Sequence, residues 1–570
     1  MNLQIETNIA YKDLFQDFDS TSISDLLREI PSKNALEITC HFLAQIHTKE
    51  KDTSRQLHYL RQWLTKIPIE IQTECNAFVE RISKKKNAKF NFLNNVSLLI
   101  LVEHIIANFN ELEIQESLSA EQELKLLKSY LFSSQTWIDK QKFNGEKITK
   151  PEELIKLLLP IQLPYVEILE FKDFRLQFLK AINFFKFCES HELFSNYLKI
   201  FLESNNLKSW QEYLINLLNL YTSKLVNETI PSIEVFQETH TEVTNWLNTL
   251  CVDTGSFMSS NDFLGIREKP LFRFDDNKYL YLNLNFFIDK IFQGIQFDFA
   301  SALAKNEIEY NGKVIAGYVS NEKGKVGFKS IWGEVYSENH LLYPTLDYIF
   351  GNKKYICYSG ENMKEHLGDG EPDYYVRDNA KIYLFEYKDV LLNASIKHSY
   401  DYEQIEKEIF KKFVSNQHGD DKGISQLINS ISDIIENKYN SFDNFDFTKA
   451  IIYSIIIYNH FDFNSPGINY ILNKKFREIV NEKGLEKKVE IKNLSLIDLD
   501  SFIKFQDLFN KKKMTLNHCL NEHFKFTSKP DLFEKISTVN QNMHFVASKL
   551  KYDSPELLES ELKKMIINFC

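Results

Sequence analysis

The stretch PDYYVRDNAKIYLFEYK at 372–388 decides how the surrounding chain folds. Two runs rich in aromatic and β-branched residues flank the polar segment RDNA, a pattern that predicts a β-hairpin. A turn at 377–380 pairs residues whose numbers add to 757, which places Asp373 one diagonal step from Glu386. Because side chains alternate along a strand, Asp373, Glu386 and Lys388 then lie on one face of the hairpin.

Helical and strand patterns alternate on both sides of this hairpin, over roughly 300–500. The segments outside the hairpin are a helix at 328–343, a strand at 353–360, helical sequence at 400–438, a strand at 448–460, a helix at 465–484 and a strand at 489–500. With the two hairpin strands, the order is α-β-β-β-α-β-α-β. This order predicts an α/β domain.

The remainder of the chain has helical texture. Residues 1–250 carry apolar residues at three- and four-residue spacing, and prolines separate the helical segments. The small polar stretch CVDTGSFMSSND, which begins at Cys251, is a plausible linker. We therefore predict an all-α domain at 1–250 for scaffolding, sensing or DNA gripping, an α/β domain at 251–510 and a helical segment at 511–570.

Composition limits the class of protein. The chain has 570 residues, 68 Lys plus Arg and 79 Asp plus Glu, so its formal charge is −11. That balance excludes a basic protein of the histone or ribosomal type, and any nucleic-acid surface has to be a local patch. No apolar run reaches the roughly 20 residues that span a bilayer, and the first residues lack a signal-peptide pattern. Seven scattered cysteines fit reduced thiols. We expect a soluble, cytoplasmic protein without membrane contact.

The shared face of the hairpin suits metal-dependent hydrolysis of a phosphodiester. Two carboxylates, Asp373 and Glu386, can hold a hard cation such as Mg²⁺, which keeps several waters and takes its other ligands from substrate phosphate. Lys388 stands two residues beyond Glu386 on the same strand and is therefore aimed at the same place. Its amine can orient a water, help to deprotonate it or stabilise charge in the transition state. The alternative is an ordinary hairpin with an exposed Glu–Lys pair.

Pro372-Asp373 followed by Glu386-Tyr387-Lys388 resembles the motif of the PD-(D/E)xK nuclease superfamily. The resemblance extends over roughly 328–500 and implies a restriction-endonuclease-like core. It also implies that the Asp and the Glu ligate Mg²⁺, with Mn²⁺ as a plausible substitute, and that the Lys serves the attacking water.

The same family often adds an acidic residue from the helix before the first strand. The helix at 328–343 offers Glu338 as first choice and Glu334 as second, because Glu338 shares an α-helical stripe with the apolar Ile331 and Leu342. A glutamine from the helix after the ExK strand is also common in the family. Gln426 is the candidate for that position.

The resemblance implies a Mg²⁺-dependent endonuclease that acts on DNA, in a restriction or anti-phage defence setting. Two alternatives stay open. One is a catalytically inactive, nuclease-like fold used for binding or scaffolding, and the other is a nuclease directed at RNA. Because cutting both strands of a duplex usually takes two active sites, a homodimer is a reasonable expectation.

Overall fold

The computed structural model of the chain describes residues 5–47, 53–85, 88–141, 148–169, 172–226, 231–235, 240–351, 354–368, 370–415, 419–552 and 554–569. Contacts between backbones divide it into two compact units. The first unit comprises Met1–Lys142, Glu167–Gln177 and Lys199–Ile295, and the second comprises Phe143–Val166, Phe178–Leu198 and Gln296–Cys570. Each unit therefore draws on three separate stretches of sequence.

The first unit is mainly helical. Its helices are Tyr11–Leu14, Ile23–Leu27, Ser32–Ile46, Thr53–Leu64, Ile69–Ser83, Asn95–Ala107, Ala120–Asp139, Trp210–Val226, His240–Thr249, Leu264–Glu268 and Leu284–Asp289, with a 3₁₀ turn at Phe18–Ser20. Side-chain caps define two of these starts: Asn94 accepts from the amide of Ser97, and Ser119 accepts from that of Gln122. Such caps satisfy amides that have no partner inside the helix.

Short strands interrupt the helices of the first unit. Ile5–Asn8 pairs in parallel with Ala88–Asn91, and Lys278–Tyr281 pairs antiparallel with both Ser232–Glu234 and Leu271–Arg273. The prediction of an all-α segment at 1–250 is therefore wrong at these places. Strands of three or four residues are too short to show a clear period of two.

Four helices contain points at which the chain passes from one unit to the other: Val166–Leu169, Phe174–Ser190, Glu192–Ser204 and Gln293–Lys305. No helix of the described residues is long and apolar enough to cross a membrane.

A six-stranded mixed sheet forms the centre of the second unit. Its strands are β1 (Ile356–Ser359), β2 (Tyr374–Asp378), β3 (Lys381–Lys388), β4 (Ile451–Tyr458), β5 (Glu490–Ile491) and β6 (Ser495–Asp498). The strand order is β1-β2-β3-β4, and β5 and β6 both pair with the far side of β4. The first three strands are antiparallel, whereas β3, β4, β5 and β6 are parallel. The second unit thus has the mixed α/β architecture that the alternating patterns predict.

Helices cover both faces of this sheet. The helices that concern the candidate site are α1 at 328–350, α2 (Gly360–Leu367), α3 (Tyr402–Phe413), α4 (Gly423–Ile435) and α5 (Ile468–Glu482). The unit also contains the helices Pro151–Gln162, Ala394–Lys397, Leu499–Asn510, Leu516–Thr527, Leu532–Lys535, Val539–Lys549 and Glu556–Phe569. Short 3₁₀ turns lie at Leu163–Tyr165, Lys438–Ser441, Phe447–Lys449, Phe461–Asn464 and Leu485–Lys487, and a small three-stranded sheet joins Glu309–Tyr310, Lys313–Ile315 and Lys325–Val326.

Alternation along β3 divides its side chains between two apolar layers. Ile382 and Leu384 are buried in a cluster with residues of α3, α4 and α5. Phe385 points the other way, where its ring lies 6.0 Å from that of Phe350 in α1 and 6.2 Å from that of Phe502. Glu386 and Lys388 continue the row of Ile382 and Leu384, so they lie on the α4 side of the sheet.

Helix α1 is not an α-helix throughout. Phe328–Trp332 and Tyr343–Phe350 are α-helical, but Gly333–Leu342 between them is a π-helix. Its buried positions accordingly recur every five residues, as in Ile331, Tyr336 and Leu341. The α-helical stripe that was predicted for Glu338 is therefore wrong in its geometry.

Candidate active site

The hairpin of β2 and β3 is present, but its turn lies one residue later than predicted. Tyr374 pairs with Phe385, so the paired numbers add to 759 and not to 757. Asn379 stands in the turn with φ of 56°, a left-handed conformation that asparagine tolerates better than most residues. Because the sum changes by two, each side chain keeps its predicted face. One further step of this register sets Asp373 directly opposite Glu386.

Three of the predicted residues meet through Lys388. Its Nζ donates to Glu386 Oε1 at 2.6 Å and to Gln426 Oε1 at 3.1 Å. The side chain of Glu386 is 1% exposed and that of Lys388 is 13% exposed. Burial opposes the charge on the lysine, but the carboxylates of Glu386 and Asp373 outweigh burial and raise the pKa of Lys388. The lysine is therefore a protonated donor at neutral pH.

Two acidic residues complete the set of four around Lys388. Asp373 is half-buried, and its Oδ2 accepts a hydrogen bond from the backbone amide of Tyr387 at 2.5 Å. Burial, and then the charge of Glu386, raise the pKa of Asp373 well above its usual range. Glu338 adds to the negative charge felt by both Asp373 and Glu386, and its Oε1 accepts from the hydroxyl of Tyr343. Excess negative charge is thus built into this end of the sheet.

A fourth acidic residue, Glu371, lies close enough to Glu386 to raise its pKa, although burial is the larger cause of that rise. Glu371 Oε2 and Glu386 Oε2 are buried and have no hydrogen-bond partner among the described residues. A buried carboxylate oxygen without a partner is costly, and a cation would relieve both the missing bond and the mutual repulsion. The donor set therefore fits a hard divalent cation.

The spacing of the acidic residues constrains how such a cation would be held. Among the described residues, Glu338, Glu371, Asp373 and Glu386 do not bring three oxygens within 4.8 Å of one another. Mg²⁺ is commonly bound by one or two carboxylates, with waters and substrate oxygens in its remaining positions. The arrangement matches that mode better than an all-protein cage.

Glu334, the second choice on α1, lies elsewhere. It is exposed and accepts a hydrogen bond from the hydroxyl of Tyr310. In the π-helical segment, Glu334 and Glu338 do not follow the 3.6-residue period of an α-helix. The structure thus separates Glu334 from the residues gathered around Lys388 and leaves Glu338 among them.

Asp389 was not singled out by sequence, yet it anchors the opposite side of the strand. Its Oδ2 accepts from Ser337 Oγ at 2.7 Å, and its Oδ1 forms an ion pair with Lys329. Ser337 Oγ also lies 2.8 Å from the hydroxyl of Tyr387. Burial alone would raise the pKa of Asp389, but Lys329 and the hydrogen bonds lower it. These contacts tie α1 to β3 immediately beside Glu338, and only a buried aspartate directly after the ExK strand hinted at them.

Two helices begin at glycines that approach the site closely. The amide of Gly360, the first residue of α2, donates to the carbonyl of Asp373 at 2.8 Å. A Cβ on Gly423, the first residue of α4, would lie 3.3 Å from Lys388 Cε and 3.1 Å from the carbonyl oxygen of Phe413. The strand prediction at 353–360 missed α2, whose first turn is capped by Ser359.

Comparison of the chain with protein-family models, with curated proteins and with solved structures finds no match.

Proposed function

We propose that the chain is a Mg²⁺-dependent endonuclease that hydrolyses phosphodiester bonds of DNA. The observation that carries the proposal is the buried Glu386–Lys388 pair, flanked by Asp373, Glu338 and Gln426, with one oxygen of Glu386 left without a partner. Few structural roles need a strand to bury a glutamate and a lysine beside two further acids, whereas phosphodiester hydrolysis needs such groups together.

Asp373, Glu386 and Glu338 are the residues that would hold the cation, and Mn²⁺ is a plausible substitute for Mg²⁺. When bound, the cation would supply positive charge at the scissile phosphate and at its attacking water. Loss of the proton from Asp373 accompanies binding, because a carboxylate must be ionised to act as a ligand. A chain with a charge of −11 can in this way serve a polyanionic substrate.

Lys388 acts as a hydrogen-bond donor in this proposal. Its raised pKa keeps the proton on Nζ at neutral pH, so it orients the water and stabilises developing charge but does not take up a proton. Gln426 fixes the lysine from the α4 side through a 3.1 Å hydrogen bond.

The proposed fold of the second unit is restriction-endonuclease-like. Its support is an antiparallel β1-β2-β3 sheet continued by a parallel β4, with the acidic residues at the end of the hairpin. A homodimer, a cytoplasmic location and a restriction or anti-phage role belong to the same proposal, and the last rests on fold-level analogy.

A cleavage assay on supercoiled plasmid with Mg²⁺ tests the activity. We expect D373A and K388A to lose cleavage, whereas E334Q, on the same helix as Glu338 but outside the set, cuts like wild type. Wild-type rates in both D373A and K388A would refute the assignment.

Two further measurements separate the alternatives. An inactive, nuclease-like scaffold would show no Mg²⁺ or Mn²⁺ binding by calorimetry that depends on Asp373 or Glu386. Matched DNA and RNA duplexes distinguish the two substrates, because metal-dependent hydrolysis does not itself require the 2′-hydroxyl. Faster cleavage of the RNA duplex would overturn the choice of DNA.

A further inference from the structure

A groove of about 750 Å³ lies along α3 in the second unit. Lys407 and Lys411 of α3 and Lys475 of α5 line it, together with the carboxylate of Glu408. Three ammonium groups against one carboxylate give this strip a net positive charge on a chain that is acidic as a whole. A local positive strip of this kind is the electrostatic pattern of a polyanion site.

The lysines are available to a ligand. Lys407 is exposed and has no ion-pair partner among the residues that the structure describes. Lys411 is 3.9 Å from Glu408, and Lys475 is 3.3 Å from Glu478, with both lysine side chains 37% exposed. Exposed pairs of this geometry contribute little, so phosphate oxygens can replace them at low cost.

Apolar side chains form the floor between the lysines. Ile396, Phe410 and Val414 line the groove, and the ring of Phe410 stacks on no other aromatic ring of the described chain. A duplex presents phosphates outward and keeps its bases stacked inside, so it has no use for this floor. A strand with unpaired bases can place a base on the ring and its phosphates on the lysines.

The groove shares a wall with the candidate active site. The backbone amide of Lys422 donates to the carbonyl of Val414 at 2.9 Å. The next residue, Gly423, packs against both the carbonyl of Phe413 and Cε of Lys388. The chain from the groove floor to the proposed catalytic lysine is therefore continuous through one helix start.

We propose that this groove binds an unpaired nucleic-acid strand and guides it to the site around Lys388. The inference rests on the proposed nuclease function and names the form of the substrate: a single strand or a flap next to the cleaved bond. Phe410 receives a base, and Lys407, Lys411 and Lys475 contact successive phosphates.

Fluorescence anisotropy with a labelled 20-nucleotide DNA tests the proposal on the full chain. EDTA keeps cleavage out of the measurement, so a failure of binding and a failure of catalysis are seen separately. The groove variants are K407E/K411E and F410L, and the matched control is K487E/K488E, two exposed lysines outside the groove.

We expect wild type to bind the single strand more tightly than a duplex of the same sequence. F410L should weaken single-strand binding at least about fivefold, because base stacking on an aromatic ring is lost. K407E/K411E should lower the slope of log K against log salt by about 1.4, at roughly 0.7 for each phosphate contact. The control should bind like wild type.

Wild-type affinity in both groove variants would overturn the inference, as would a preference for the duplex that F410L leaves unchanged. Groove-dependent binding of the single strand without any Mg²⁺-dependent cleavage would leave the groove assignment standing and overturn the proposed nuclease function.

Discussion

Removing the ammonium of Lys388 tests whether a cation belongs beside Glu386. In K388M the side chain keeps most of its length and apolar stem, but Glu386 Oε1 loses its 2.6 Å donor and Oε2 already has no partner. The carboxylate is left 1% exposed. Removing one partner of a buried ion pair costs about 3–5 kcal/mol. At about 2 °C per kcal/mol, Tm falls by about 6–10 °C.

A divalent cation should return much of that loss. Binding to the folded state at a hundredfold excess over Kd contributes about 2.7 kcal/mol. Urea unfolding of K388M with and without Mg²⁺ or Mn²⁺ measures the effect. We expect the cation to raise the unfolding free energy of K388M by more than that of wild type, because no ammonium competes for Glu386.

R377M is the matched control. The Arg377–Asp443 pair has the same exposures as Lys388–Glu386, 13% and 1%, and an N–O distance of 2.6 Å. It should lose a similar free energy, but Mg²⁺ should not restore it. The reasoning would be refuted if K388M unfolds with the wild-type free energy, or if the cation stabilises R377M as much as K388M.

Three further predictions follow from the contacts of the site. Without a divalent cation, D373N should be more stable than wild type, and the gap should widen as pH rises from about 4 towards neutrality, because a carboxyl with a raised folded-state pKa loses stability as it ionises. A pH-independent gap in urea unfolding would contradict this. G423A should change the unfolding free energy by no more than about 1–2 kcal/mol but slow cleavage, since the added Cβ lies 3.3 Å from Lys388 Cε. Equal rates in single-turnover assays would argue against close packing there. S337A should cost about 1–3 kcal/mol, because it removes a buried donor to Asp389, and calorimetric Mg²⁺ affinity should fall with it. Unchanged affinity would show that this contact does not position Glu338.

The sequence-based reasoning placed the site residues well where it depended on the period of a strand. Asp373, Glu386 and Lys388 were expected on one face, and they remain there although the hairpin register differs by two. A shift of one residue would have separated them. The position of the turn depended on whether Asn379 adopts a left-handed conformation, and several polar residues of the turn were able to do so.

Other features leave no local pattern. The π-helix in α1 changes which residues face inward, and an apolar period of 3.6 cannot indicate it. The contacts of Asp389 with Ser337 and Lys329 join residues more than 50 positions apart, so only the folded chain brings them together. The helix Gly360–Leu367 escaped notice because it is short and largely polar.

The initial rate of Mg²⁺-dependent DNA cleavage by E386Q tests the central claim most directly. Glutamine keeps the shape of the side chain and an acceptor for Lys388, and it removes the charge that would hold the cation. The proposed mechanism predicts a rate at least about a hundredfold below wild type, since the charge supports metal binding and catalysis together. Cleavage by E386Q at the wild-type rate would contradict it.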